Sequence, residues 1–323
     1  MKLTLAAAAL LALAVTGALS ELISVQPKLP VNPKHSFEEW QDIFSAQTLV
    51  PERCESCRQG TTPQPGVAGQ VVAKGHDSRI IGGAAAESGQ FPWQGQLRMD
   101  NSYFCGCSVI SDVWILSAGH CVSGFSSFVV VLGSLYTQSG DPNRVVVTSR
   151  TGIAHENYDA WRISDDISVI KLSSSIGNWR ADIRPILLPS ASQAGNTFDG
   201  AASVLSGWGR YGTDSVSSSI SDRLQYVNLV VIPNRECAQT FGASIRSTNV
   251  CTRGSSKAGG PVGACNGDSG GALVVPDSGR YIQVGIVSFG TSLGCNLQYP
   301  SAFTRVTPYL RWISDKTNIA IRN

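Results

Sequence analysis

The chain has 323 residues and a formal net charge of +2, and only 15% of its residues are charged. Such a length can bury a sizeable core, and the small charge without any basic block argues against a nucleic-acid-binding protein. Abundant glycine, at 33 residues, together with this low charge favours a compact all-β protein over a helical one.

The first twenty residues have the pattern of a secretory signal peptide. Lys2 supplies the positive start, residues 3–15 form an apolar run, and residues 18–20 offer a small-residue cleavage site. A membrane anchor is the alternative, but the run is short and is broken by Gly17. We therefore expect residues 1–20 to be removed and the protein to be secreted into an oxidising extracellular space, with no membrane partner.

Residues 21–79 show no sustained helical or strand period. They mix Pro, Gln, Gly and charges, and residues 61–69 are typical of a flexible linker. A short helix over 37–44 fits the spacing of Phe37, Trp40, Ile43 and Phe44. The region is a candidate propeptide.

The sequence pattern changes at Arg79-Ile80-Ile81-Gly82-Gly83. Short β-rich runs bounded by Gly, Ser, Asp and Pro then follow to the end of the chain. The predicted strands are residues 128–132, 144–147, 168–172, 224–230, 271–275 and 281–287. A closing helix is predicted over 309–317, and no phosphate-binding or dinucleotide-binding glycine motif is present.

Three motifs in this region carry chemistry. His120 lies in Leu-Ser-Ala-Gly-His-Cys, Asp166 opens an apolar strand after Asp165, and Ser269 lies in Cys-Asn-Gly-Asp-Ser-Gly-Gly. A serine hydroxyl is a weak nucleophile unless a base takes its proton and nearby donors receive the developing charge. Glycines on both sides of Ser269 allow a tight turn that can aim backbone N–H groups at a substrate.

In this order and context the motifs resemble the trypsin/chymotrypsin family of serine endopeptidases, over essentially all of residues 80–323. The overall texture is similar to arthropod digestive chymotrypsins and serine collagenases. The resemblance implies two six-stranded antiparallel β-barrels with a C-terminal helix and a catalytic cleft between the barrels. It also implies that Ser269 is the nucleophile, His120 the general base and then acid, and Asp166 the group that orients the imidazole. Asp165 is the competitor for the last role, and we expect it to be a solvated turn carboxylate.

Relatives are activated by a cut before a sequence like that at Ile80. A cut after Arg79 by an arginine-specific protease would free the α-amine of Ile80, which can pair with the carboxylate of Asp268. A buried charge needs such a partner. The pair would order the oxyanion donors, expected to be the N–H groups of Gly267 and Ser269.

The specificity pocket predicted from the resemblance holds no carboxylate. Gly263 stands where trypsins carry an aspartate, and Ser301 maps to the opposite wall, so a buried Lys or Arg would lack a partner. Gly290 leaves the pocket mouth open. We expect large apolar or aromatic residues, Phe, Tyr, Leu or Met, on the acyl side of the cleaved bond (the P1 position). The expected substrate-binding residues are Gly263, Ala264, Asn266, Ser288, Phe289, Gly290 and Ser301.

Nine cysteines fit an exported protein. The resemblance implies three disulfides, namely Cys105–Cys121, Cys237–Cys251 and Cys265–Cys295. Cys54 and Cys57 could form a vicinal bridge, a weak metal site or a redox pair. Cys107 is interpreted as a small buried thiol, the alternative being a bridge to the N-terminal segment or to another chain. Ser134 stands where trypsin-like calcium loops carry glutamate, so we expect no metal and no cofactor.

The expected partners are protein or peptide substrates, the activating protease, and serpins or small substrate-like inhibitors, and the protein is expected to be a monomer.

Two alternative functions stay open. A regulatory cascade protease is favoured by the long segment before Arg79, but Leu187 stands where a tethering cysteine is usual and no six-cysteine clip pattern is present. A non-catalytic homologue acting as a binding protein is disfavoured because Ser269, His120 and Asp166 are all present.

Overall fold

The structure is a computed structural model that describes residues 25–27, 83–100, 102–138, 141–210, 220–255, 261–291 and 299–323. Several predicted features lie outside these residues. They are the signal peptide, the helix over 37–44, the cleavage site at Arg79 and Ile80, and Cys54, Cys57 and Cys295. Two short strands, β1 (Val25–Pro27) and β2 (Ala84–Ala85), precede the main sheets.

The first main sheet is a closed barrel of short, apolar strands. Its strands are β3 (Gln94–Met99), β4 (Tyr103–Val109), β5 (Trp114–Ser117), β6 (Phe128–Leu132), β7 (Val145–Ser149), β8 (Thr151–Ala154) and β9 (Ser168–Lys171). Strands β7 and β8 flank Arg150 and form one bent strand, whose halves pair with β6 and β9 respectively. This bend closes the sheet, so that seven segments make the six strands that were predicted.

The second main sheet is also closed. Its long strands are β10 (Ala202–Gly207), β11 (Gln225–Ile232), β12 (Asn249–Ser255), β14 (Ala272–Asp277), β15 (Arg280–Thr291) and β16 (Ser301–Arg305), and β13 (Pro261–Val262) is a short addition. Strand β12 pairs with both β16 and β11, which completes the circle. The all-β class and the two antiparallel barrels are therefore confirmed.

Packing follows the apolar pattern of the strands. Val130 in the first barrel and Val284 and Phe303 in the second are completely buried, as β-branched and aromatic side chains on an inward face should be. The predicted closing helix is present as α2 (Leu310–Thr317), after α1 (Asn234–Phe241), and it buries Leu310 and Ile313. Within the described part of the chain, no helix is long and apolar enough to cross a membrane.

Six of the sixteen described strands were predicted, and β1 is the most unexpected of the other ten. The sequence of residues 21–79 shows no strand period, yet β1 lies in this region and pairs antiparallel with the end of β15. Three residues are too few to show a period, and their pairing depends on a partner far away in the chain.

The two barrels meet closely beside the predicted nucleophile. The backbone N–H of Gly106, on β4, donates to the carbonyl of Ser269 at 2.7 Å. A Cβ atom at Gly106 would lie 3.1 Å from the Cα of Gly271, so only a glycine fits comfortably at this seam. The close approach fixes the loop of Ser269 against the first barrel.

Candidate active site

His120 is held rigidly at the edge of the first barrel. It lies in a single 3-10 turn (Gly119–Cys121) directly after β5, and only 8% of its surface is exposed. The Cys105–Cys121 disulfide ties this turn to β4, next to Gly106. Ser168 donates its hydroxyl to the Ala118 carbonyl at 2.7 Å, which anchors the entry to the turn. The imidazole is thus fixed from both sides.

Asp166 contacts His120 at both its ring nitrogen Nδ1 and its backbone N–H. Its Oδ2 lies 2.8 Å from His120 Nδ1, and its Oδ1 accepts the His120 backbone N–H at 2.8 Å. Ser288 donates its hydroxyl to the same carboxylate, to Oδ2 at 2.5 Å. The other ring nitrogen, Nε2, is buried and has no hydrogen-bond partner among the described residues. This arrangement assigns the Nδ1 proton to the Asp166 side and leaves Nε2 able to accept a proton.

The environment keeps Asp166 ionised although it is buried. Burial alone would raise the pKa of its carboxyl, but the charge and hydrogen bonds of His120 and the hydrogen bond of Ser288 outweigh that effect. The net result is a pKa below the ordinary aspartate value. The carboxylate can therefore stabilise a positive charge that forms on the imidazole.

Asp165 has a different role from the one expected. It is only half-buried and adopts a left-handed backbone conformation with φ of 54°, but it is not a free turn carboxylate. Tyr309 donates its hydroxyl to Asp165 Oδ1 at 2.8 Å. Burial, and then this hydrogen bond, raise the pKa of Tyr309. Asp165 thus ties the loop before Asp166 to the start of the C-terminal helix.

Ser269 lies at the tip of a tight turn before β14. The turn is closed by the hydrogen bond from Asp268 N–H to the Cys265 carbonyl at 3.0 Å, and Gly270 donates to Val287 at 2.9 Å. Ser269 itself has no exposed surface. Through Gly106, Cys105 and Cys121 the Ser269 backbone is linked to the turn that carries His120. The structure therefore brings together the predicted catalytic segments at the barrel seam.

Asp268 points away from this seam into a pocket made of two glycines. Gly209 N–H donates to its Oδ1 at 2.7 Å and Cys265 N–H donates to Oδ2 at 2.9 Å. A Cβ at Gly207 or at Gly209 would lie 2.2 Å from a carboxylate oxygen, which no real contact permits. Sequence reasoning missed these two glycines, although their Gly-Trp-Gly spacing was visible. The predicted partner of Asp268, Ile80, lies outside the described residues.

The predicted oxyanion turn contains a glycine in a conformation that other residues rarely adopt. Gly267 has a φ of 99°, a conformation that strains any residue with a side chain. The carbonyl of the preceding residue, Asn266, accepts the Arg210 backbone N–H at 2.7 Å. This bond fixes the orientation of the peptide between Asn266 and Gly267. The N–H groups of Gly267 and Ser269 remain the predicted oxyanion donors.

The predicted pocket residues are also close to one another. A Cβ at Gly263 would lie 2.9 Å from the hydroxyl of Ser301, and Ala264 N–H donates to that hydroxyl at 3.2 Å. Phe289, on β15, is completely buried and packs edge-on against Phe241. Thr304, on β16 with Ser301, was missed by sequence reasoning; it donates its hydroxyl to the Asp166 carbonyl at 2.7 Å and joins β16 to Asp166.

A family model described as Trypsin matches residues 80–313. The chain belongs to the trypsin family. Brachyurin from Leptuca pugilator is 37% identical over 74% of this chain and 99% of its own length. Trypsin beta from Drosophila erecta is 38% identical over 80% of this chain and 94% of its own length. A solved collagenase structure matches with a TM-score of 0.65 and 34% identity, covering 75% of this chain and all of the collagenase. This trypsin-family chain is a serine endopeptidase, and its substrates are proteins.

The cysteines of this trypsin-family protein agree with the implied pairing where they are described. Cys105–Cys121 and Cys237–Cys251 are disulfides, and Cys265 is disulfide-bonded, its predicted partner lying outside the described residues. Cys107 is a buried free thiol, and burial raises its pKa. Cys105, His120 and Cys121 lie close enough to hold a metal ion, but the two sulfur atoms are bonded to each other and offer no thiolates.

The Ser288 hydroxyl gives a pH-dependent prediction. Because the folded pKa of Asp166 is lowered, its ionisation stabilises the fold above the unfolded pKa of about 3.9, and this contribution is lost as pH falls through the folded pKa. Ser288→Ala should therefore lower the free energy of unfolding by about 1.5–3 kcal/mol near neutral pH, and by less near pH 3. The measurement is urea unfolding at both pH values of Ser269→Ala chains with and without Ser288→Ala.

Ser203→Ala is the matched control. Ser203 is equally buried in the same barrel, but its hydroxyl donates to the uncharged Leu229 carbonyl at 3.1 Å. Ser203→Ala should lower the free energy of unfolding by the same amount at both pH values. If Ser288→Ala also lowers the free energy of unfolding equally at both pH values, then Ser288 does not stabilise the ionised carboxylate of Asp166.

Proposed function

We propose that this protein is a secreted endopeptidase made as a zymogen, in which residues 1–20 are the signal peptide, 21–79 the propeptide and 80–323 the catalytic domain. Cleavage after Arg79 activates it, and it then cuts peptide bonds after large apolar or aromatic P1 residues. The observation that carries the proposal is the contact of Asp166 with Nδ1 of His120, while Nε2 has no hydrogen-bond partner among the described residues.

The acyl-transfer chemistry follows from these positions. Ser269 Oγ attacks the substrate carbonyl while His120 Nε2 takes its proton, and the charge on the carbonyl oxygen is received by the N–H groups of Gly267 and Ser269. His120 then gives the proton to the leaving amine, and an ester on Ser269 remains. Water, deprotonated by the same imidazole, attacks this ester, and the proton returns to Ser269 as the acid product leaves.

The pocket chemistry supports an apolar P1 residue. Gly263 lies against the Ser301 hydroxyl, no carboxylate of the described residues lies within 4 Å of a Cβ at Gly263, and Ala264 adds only a methyl group. A buried Lys or Arg side chain there would have no counter-charge, which costs several kcal/mol. An aromatic side chain needs no partner and gains from leaving water.

Zymogen activation is supported by the site of Asp268. Its carboxylate is 1% exposed and is cradled by the backbone of Gly209 and Cys265, a position in which a buried amine could be received. The partners that this function requires are an arginine-specific activator and, for control, inhibitors that dock as substrates do on Phe289 and Gly290.

A paired peptide assay tests the proposed function. The full chain, treated briefly with trypsin that is then blocked and removed, should hydrolyse a Phe substrate and not an Arg substrate. Arg79→Gln should stay uncut at this position and inactive, while Ser269→Ala should be cut normally and stay inactive. Arg hydrolysis that depends on Ser269 would mean that the pocket is wrongly assigned, and a correctly cut but inactive wild type would favour a binding protein.

Gly263→Asp gives a sharper test of the pocket. A carboxylate at this position should raise the ratio of kcat/KM for Arg over Phe substrates by at least about tenfold, because it supplies the missing counter-charge. Any side chain at this position would crowd Ser301, because its Cβ would lie 2.9 Å from Ser301 Oγ. Gly263→Ala is therefore the control for added bulk without charge. If both variants change the ratio equally, charge does not determine the specificity.

A further inference from the structure

The N-terminal strand β1 lies along the end of β15, on the three residues that follow Ser288. The register is antiparallel and sets Val25 opposite Thr291, Gln26 opposite Gly290 and Pro27 opposite Phe289. Phe289 pairs on its other side with Ala302 of β16. β1 therefore fills the outer edge of β15 at the residues to which we assign substrate binding.

This edge is open because the neighbouring strand of the barrel stops short of it. β14 pairs with β15 only as far as Ile286, and the loop of Ser269 then covers Val287 through Gly270 and Gly271. From Ser288 onward the barrel provides no strand on this side among the described residues. Unpaired backbone groups at such an edge bind extended peptides by adding a strand.

The register agrees with the chemistry of proline. Residues in an antiparallel pair alternate between those that exchange two hydrogen bonds and those that exchange none. Pro27 has no N–H and cannot exchange two, so Gln26 and Gly290 are left as the hydrogen-bonded pair. A proline is thus tolerated beside the catalytic cleft without a loss of backbone bonds.

We propose that Val25–Pro27 is an intramolecular inhibitor that occupies the substrate-binding edge of Phe289–Thr291. The proposal rests on the proposed function, in which substrates use the same edge. It adds to the zymogen a second lock, which acts at the substrate-binding edge rather than at the site of Asp268. A ladder this short is weak by itself and is maintained by its covalent tether, since linkage keeps the effective concentration high. Cleavage after Arg79 breaks the tether, so one cut would release both locks.

Hydrogen exchange in the uncut chain tests the contact without using activity. In full-length Ser269→Ala, the amide of Gly290 should be protected, and Gln26→Pro should speed its exchange by about tenfold, because it removes an N–H of the Gln26–Gly290 pair. Val25→Pro is the matched control, since position 25 lies in a pair that exchanges no hydrogen bonds, and it should leave protection unchanged. Equal exchange in all three chains would overturn the proposal.

Inhibition by the segment tests its consequence. A synthetic peptide of residues 21–34, added at millimolar concentration to the activated protein, should compete with the Phe substrate, raising KM and leaving kcat unchanged. The Gln26→Pro peptide should bind about tenfold more weakly, and the Val25→Pro peptide should match the wild type. Hydrolysis of the peptide, or a fall in kcat alone, would overturn the inhibitory role. An inactive wild type would contradict only the proposed function, since the exchange result stands apart from it.

Discussion

Ser269→Ala is expected to lower kcat by about 10⁵- to 10⁶-fold, and His120→Ala by a similar factor, with the double variant no worse than either. The reason is that the two side chains act as one unit. Without the hydroxyl there is no ester intermediate, and without Nε2 nothing takes its proton. Single-turnover kinetics with the Phe substrate, after removal of the activating trypsin, measures the loss.

Ser203→Ala controls for the loss of a buried hydroxyl. Ser203 is 1% exposed on β10, and its hydroxyl bonds only to a strand carbonyl of the same barrel. Its kcat should stay within about twofold of the wild type, as expected for a site remote from the chemistry. Additive losses in the Ser269→Ala, His120→Ala double variant would contradict the shared mechanism.

Gly209→Ala is expected to lower kcat/KM by about 10²- to 10³-fold, the scale of losing an oxyanion donor. The new methyl group would lie 2.2 Å from Asp268 Oδ2, so the carboxylate must leave its cradle. Asp268 is followed directly by Ser269 and preceded by Gly267, and the turn that presents both N–H groups would move with it. Active-site titration and kcat/KM of the activated chain report this effect.

Gly195→Ala is the matched control, because Gly195 is exposed and a Cβ there meets nothing within 4 Å. Asp268→Asn keeps the shape of the side chain but removes its charge, and it should be cut normally yet stay largely inactive. It therefore keeps the test informative if Gly209→Ala fails to fold. Activity of Gly209→Ala within threefold of the wild type would show that the cradle does not support the turn.

The catalytic segments could be predicted from the sequence because each carries its own local signature. Ser269 is flanked by glycines, His120 is followed by a cysteine, and Asp166 opens an apolar strand. Six of the strands were predictable for the same reason, since β-branched runs between turn residues are local features. The two closed barrels came from the resemblance, because closure depends on the bend at Arg150 and on pairing between distant strands.

What the sequence did not reveal are contacts between residues far apart in the chain. Thr304 and Asp166, or Tyr309 and Asp165, are separated by more than a hundred residues, and nothing in their local pattern marks them as partners. The contact of Asp165 with Tyr309 was missed for this reason, because a turn carboxylate gives no local sign of a distant hydroxyl that binds it. β1 was missed because only its partner strand makes it a strand.

The seam between Gly106 and Ser269 also has a consequence for folding. One apolar core contains side chains of both barrels, such as Leu97 of the first and Val274 of the second, and the nucleophile loop and the imidazole turn likewise meet only when the barrels dock. During refolding, β-structure should therefore return before enzymatic competence, with the interval set by docking of the two halves. A chain arrested with both barrels formed but undocked would look native by circular dichroism and have no working active site.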